Sequence, residues 1–175
     1  MQREEKPAME TELERIAAKA RKEPKLRFTS LAHHITRQRV WESLCHIPTK
    51  SAPGVDGKTL PEVKTEFDTW IGPMLQSVHR KGYRAPAIRR VYIPKPGKKE
   101  KRPLGVPCIA DRALQRTTAQ VLSAIYEQDF TSCSFGGRPG LGSHNALATL
   151  NEVIAGRKVG WVLEADIRNF FDHPC

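Results

Sequence analysis

Apolar residues recur at helical spacing along most of this chain and alternate at strand spacing in two places. METELERIAAKARKE, residues 9–23, sets Leu13, Ile16 and Ala20 on one face with charges opposite, which predicts a short amphipathic helix before Pro24. A second helix is expected from an N-cap at Thr29 or Ser30 through LAHHITRQRVWESLCHI, with Leu31, Ile35, Val40, Trp41 and Leu44 inward and Pro48 as its stop. KSAPGVDGKTL brings Pro53, Gly54, Asp56 and Gly57 into five positions, the composition of a loop with demanding backbone geometry. From Pro61 at a first helical position, helical spacing returns through Val63, Phe67, Trp70, Ile71, Leu75 and Val78. A kink is expected at Gly72-Pro73 and an end at Lys81-Gly82.

IRRVYIPK alternates as a strand, KPGKKEK is a turn loaded with lysines, and RPLGVP is a second extended piece, so the three predict a basic β-hairpin. Asp111 is expected to cap a helix over RALQRTTAQVLSAIYEQDF whose Leu114, Val121, Leu122 and Ile125 face a core. In the loop SFGGRPGLGS, Gly140 and Gly142 suit either turn geometry or a phosphate cradle. HNALATLNEVIAG predicts a helix stopped by Gly156. VGWVLEADI is apolar on both faces and reads as a central strand that delivers Asp166. The fold class is α+β, mostly helical with a basic β-hairpin, and no internal repeat is present.

Charge moves the question from fold to partner. The formal net charge is +10, and the excess lies in one stretch: residues 80–116 hold 12 Lys/Arg against 2 Asp/Glu. Residues 1–79 hold 13 against 11, and residues 117–175 hold 4 against 6. The cations alternate with Tyr83, Tyr92 and prolines, a composition suited to following a phosphate backbone. Arg89, Arg90, Lys98, Lys99, Lys101, Arg112 and Arg138 are the expected nucleic-acid contacts. The four cysteines form no CxxC pair, and His33, His34 and His46 near Cys45 match no zinc spacing, so reduced thiols are expected. No apolar run reaches membrane-spanning length and the N-terminus lacks a signal-peptide core, so a cytoplasmic protein with no membrane partner is expected.

YIPKPGKKEKRPLGVPCIADRALQ, then SFGGRPGLGSHNAL, then WVLEADIRNFFD, in that order and preceded by KSAPGVDGKTL, resemble the reverse transcriptases encoded by group II introns, also called maturases. The resemblance spans residues 31–172. It implies the fingers and first palm strand of a right-hand polymerase: an N-terminal helical arm over 1–28, a fingers region over 29–159 and the start of the palm over 160–175. It further implies that Lys95 and Arg102 bind the phosphates of the incoming nucleotide, although on their chemistry alone they could equally hold template backbone. Asp166 would be the first of three catalytic aspartates holding Mg²⁺, with Ile167 offering its carbonyl to one ion. Phe171 would exclude a ribose 2′-hydroxyl. The implied partners are intron and template RNA, with a DNA primer and deoxynucleotides in the complete enzyme.

The departures from the family pattern carry expectations of their own. Where relatives write S-Y-G-F-R-P-G, Phe135 takes the first aromatic position but Gly137 stands at the second, which predicts a hole in the fingers core costing about 3–5 kcal/mol. His173, Pro174 and Cys175 replace the expected start of a palm helix. The strand pair carrying the other two aspartates is not in the sequence, which implies a truncated frame or cloned fragment that does not polymerise or hold Mg²⁺ tightly alone. The alternatives are an RNA-binding module that keeps intron contacts, or a non-functional relic. Reverse transcriptases of bacterial defence systems or diversity-generating elements share the ADI-type motif, but the GVDG block with HNAL fits the intron enzymes better. Self-association is expected through the two-faced apolar strand.

Overall fold

The computed structural model describes residues 8–94, 96, 97, 99 and 101–167, with side chains from residue 12 onward. It contains α1 (Ala8–Lys22), α2 (Arg37–Cys45), α3 (Leu60–Thr65), α4 (Phe67–His79), β1 (Arg89–Pro94), β2 (Lys101–Val106), α5 (Ile109–Tyr126) and α6 (Ser143–Gly156). The class is α+β: helices with one two-stranded antiparallel hairpin. The chain divides after Asp129 into two units.

The first unit holds the core. Val40 and Leu44 of α2, Val63 of α3, Phe67 and Ile71 of α4, and Ile109, Ala113 and Leu114 of α5 are buried together. Leu44 and Ile109 are fully inaccessible, as i, i+4 spacing within each helix requires of a shared inward stripe. Small polar groups let α2 and α5 approach closely. Thr117 Oγ1 lies 2.8 Å from Ser43 Oγ and 3.0 Å from the Ala113 carbonyl, so the buried hydroxyls satisfy each other. α1 packs on α5 through its Ile16 and Ala20 face, and Glu12 places its carboxylate 3.4 Å from His34 Nδ1 and 3.8 Å from Arg39.

Three helix boundaries differ from the sequence expectation, each for a visible reason. The second helix starts at Arg37, because Thr36 Oγ1 accepts the Arg39 N–H at 3.3 Å while Ala32–His34 forms a separate 3-10 turn. Residues 60–79 break at Glu66 rather than at Gly72-Pro73, and Pro73 lies inside α4. The Val63 carbonyl, which an unbroken helix would give to the Phe67 N–H, instead accepts the Trp70 indole N–H at 2.9 Å. The third difference concerns Asp111, which does not cap α5. The helix starts two residues earlier, and Asp111 sits buried in its first turn.

The second unit has α6 after a glycine-rich turn. Asn145 Oδ1 accepts the Gly142 N–H at 3.0 Å and closes the start of the helix. No residue of α6 is buried. The expected central strand does not form: residues 158–167 carry no ladder, with Trp161 95 % and Leu163 91 % exposed. An apolar run becomes a strand only where a neighbour takes its backbone N–H and C=O groups, and the hairpin is the one sheet among the described residues. The expected hole at Gly137 is also absent. That residue is exposed, adopts φ +70°, and has nothing within 4 Å of where a Cβ would lie.

Candidate nucleic-acid interface

The basic stretch becomes the β1–β2 hairpin. Its register pairs Arg89 with Val106, Arg90 with Gly105, Val91 with Leu104, Tyr92 with Pro103, Ile93 with Arg102, and Pro94 with Lys101. Residues that pair share a face and alternate along each strand. One face therefore carries Arg90, Tyr92 and Lys101, all exposed. The opposite face carries Val91, Ile93, Leu104 and Val106, with Arg89 at one end and Arg102 at the other. Tyr92 is 58 % exposed, which leaves an aromatic ring between two cations. Lys99 lies in the turn and is exposed. Lys95 and Lys98 lie outside the described residues.

The chain that leads into the hairpin is anchored on α5. Tyr83 donates its hydroxyl to Asp111 at 2.8 Å, and Gln115 donates its amide to the other carboxylate oxygen at 2.6 Å. Burial, then the Asp111 carboxylate, push the Tyr83 phenol well above its ordinary range. Because the folded-state pKa is raised, Tyr83 stabilises the fold fully below the unfolded value near 10, and that contribution declines as pH rises beyond it. Tyr83→Phe is expected to cost about 1–3 kcal/mol at neutral pH, since it leaves a buried carboxylate oxygen unsatisfied. The variant should also lose less stability than the wild type between neutral and strongly alkaline pH, a difference that urea titrations at both pH values measure.

Arg112 and Arg138 are engaged with the chain's own loops. Arg112 donates to the Ala52 carbonyl at 3.3 Å and to Ser51 Oγ at 3.2 Å, tying the loop before Gly54 to α5. In the second unit, Arg138 lies over the Phe130 ring at 5.1 Å and donates to the Thr131 and Ser134 carbonyls. No local sequence pattern marks these clamps or the Tyr83–Asp111–Gln115 chain. The only sequence signal for the latter was a tyrosine beside the basic stretch.

No family model matches the chain. Over 172 residues it is 31 % identical to group II intron-encoded protein LtrA of Lactococcus lactis subsp. cremoris, a match covering 96 % of this chain and 28 % of that protein. This chain is a homologue of the group II intron-encoded proteins. It is also 34 % identical over 168 residues to protein YkfC of Escherichia coli strain K12, covering 90 % of this chain and 43 % of that protein. A further match, 34 % over 102 residues, is to an uncharacterized 91 kDa protein in the cob intron of Schizosaccharomyces pombe, covering 58 % and 12 % respectively. The chain thus spans less than half the length of the curated relatives it matches.

In this intron-protein homologue, Asp166 and Ile167 lie in the exposed segment of the second unit, where Asp166 Oδ1 accepts the Ile167 N–H at 2.9 Å. A carboxylate and a main-chain carbonyl are the hard oxygen donors that Mg²⁺ takes. Yet no group of three or more His, Cys, Asp or Glu side chains gathers among the described residues. The described residues by themselves therefore do not fit a two-ion centre. Phe171 lies outside them. No helix among the described residues is long and apolar enough to cross a membrane.

Proposed function

We propose that this chain is the fingers region and first palm segment of a group II intron reverse transcriptase, and that its β1–β2 hairpin grips RNA. The observation that carries the reading is the exposed hairpin face of Arg90, Tyr92 and Lys101, standing in a chain of net charge +10. Guanidinium and ammonium groups neutralise phosphates while the ring offers a stacking surface, so this one face meets both parts of a nucleotide strand. Homology to a group II intron-encoded protein favours intron RNA as that strand. In the complete enzyme, Lys95, Arg102 and Phe171 would contact the incoming deoxynucleotide, and Asp166 with Ile167 would hold Mg²⁺ beside further carboxylates.

The test is equilibrium binding of the chain to a structured group II intron RNA and to a same-length control RNA as salt is varied, with primer extension assayed alongside. Intron-preferring binding that weakens steeply with salt is expected, without extension by this chain alone. Replacing Arg90 and Lys101 with alanine should flatten the slope of log K against log salt by about 1.5. Equal, weak binding to both RNAs and an unchanged slope in the variant would overturn the reading.

A further inference from the structure

A second aromatic surface lies on the first unit, built from α2, α3 and α4 and sharing no residue with the hairpin. Trp41 belongs to α2 and was expected inward, yet it is 39 % exposed. It borders a cavity of about 500 Å³ lined chiefly by Arg37, Gln38, Trp41, Lys64, Phe67 and Asp68. The ring is not free to turn away. Phe67 packs edge-on against it with centroids 4.8 Å apart, and Trp70 packs edge-on against Phe67 at 5.0 Å. Trp70 is fixed in turn by its bond to the Val63 carbonyl. Arg37 lies over the Phe67 ring at 5.1 Å and pairs with Asp68.

We propose that this cavity takes an unpaired nucleobase of a single-stranded RNA segment, stacked on Trp41. A base has two flat apolar faces and a polar edge, and it is joined to a phosphate; the cavity offers a matching part for each. The held indole supplies a platform whose ordering cost is met before binding. The Gln38 amide gives one N–H to Glu42 at 3.2 Å and keeps its other N–H and its carbonyl oxygen for a base edge, and Lys64 supplies a cation for the adjoining phosphate. The charged lining, Arg37 and Lys64 against Asp68, is net positive, which favours a nucleotide over an apolar protein side chain. Paired RNA keeps its bases within the stack, so the site selects single strands. The inference rests on the reading of this chain as an RNA-binding protein, and it adds where and in what form the RNA is held.

The experiment measures binding of the full chain to an unstructured oligoadenylate and to an RNA duplex of equal length, by affinity and by tryptophan fluorescence. Trp41→Ala is expected to weaken oligoadenylate binding by between about 5-fold and 100-fold while leaving duplex affinity unchanged. Trp41→Phe should retain most of the affinity but lose the quenching that stacking on the indole produces. Lys64→Gln, an exchange at the cavity rim, should flatten the salt slope for the single strand by about 1. Wild-type binding to both RNAs with no effect of either Trp41 variant would overturn this inference and leave the hairpin reading intact. Binding to neither RNA would overturn this inference alone, because the hairpin reading is decided on the intron RNA. Quenching of Trp41 by N-acetyl-leucinamide but not by oligoadenylate would overturn it in favour of a protein partner.

Discussion

Gly54→Ala is expected to destabilise the first unit by about 1–3 kcal/mol, and Gly54→Val by more, because the loop containing Gly54 lies directly on the start of α5. A Cβ at position 54 would stand 2.5 Å from Cys108 Cα, 2.6 Å from its backbone nitrogen and 2.9 Å from its Sγ. Two of those atoms are backbone at the entry of a helix and cannot swing aside. The loop must therefore lift, which would also stretch the hydrogen bonds that Arg112 makes to Ala52 and Ser51. Cys108 is buried, 4 % exposed, so lifting the loop opens it to solvent. Gly54→Ala should thus raise the rate of thiol labelling at Cys108 together with the fall in urea midpoint. Gly57→Ala is the control. That residue adopts φ +68° with open space around it, so an added methyl costs about 1–2 kcal/mol of backbone strain without uncovering Cys108. Equal labelling in wild type and Gly54→Ala would mean that the loop is not seated on α5.

The same loop shows what was legible in the sequence. Its glycines and Asp56 announce a constrained turn, and the Lys58 N–H indeed bonds Asp56 Oδ1 at 3.3 Å. What the turn is constrained against lies 54 residues further along, and no local pattern names it. The hairpin was legible for the opposite reason: strand alternation and a turn-forming insert are both local, and pairing needs nothing beyond residues 89–106. The break at Glu66 was hidden because its cause is one indole reaching back to one carbonyl, whereas Gly72-Pro73 is conspicuous but lies within α4. Of the candidate site, the basic charge could be read and its division could not. Arg112 and Arg138 carry the same charge as Arg90 and Lys101, but the first two hold loops while the last two stand exposed on a strand face. Helical spacing alone places Trp41 inward. Val40 and Leu44 do face the core, but Trp41 lies one step around the helix and opens onto a cavity. The run ending in Asp166 is apolar but forms no strand, since apolarity belongs to the residues and a strand belongs to its neighbours.

Leu44→Ala and Leu150→Ala should separate the two units by stability. Leu44 has no exposed surface and lies between α2 and the helices that share its core. Truncation there removes three buried carbons and leaves a cavity that the close-packed hydroxyls of the adjoining Ser43 and its partner Thr117 resist filling. The expected loss is about 2–5 kcal/mol, enough to unfold much of a marginally stable population. Leu150 is an equally apolar residue on an equally helical pattern, but it is 49 % exposed in a helix that buries none of its residues. Its truncation should change stability by no more than about 0.5 kcal/mol. Urea unfolding followed by far-ultraviolet circular dichroism compares the two directly. A large loss in Leu150→Ala would show that the apolar face of α6 is covered in solution, by a second copy of the chain if the loss shrinks on dilution and from within the chain if it does not. A small loss would leave Leu147, Leu150 and Ile154 as open apolar surface, and self-association at high concentration should then weaken when all three are made polar.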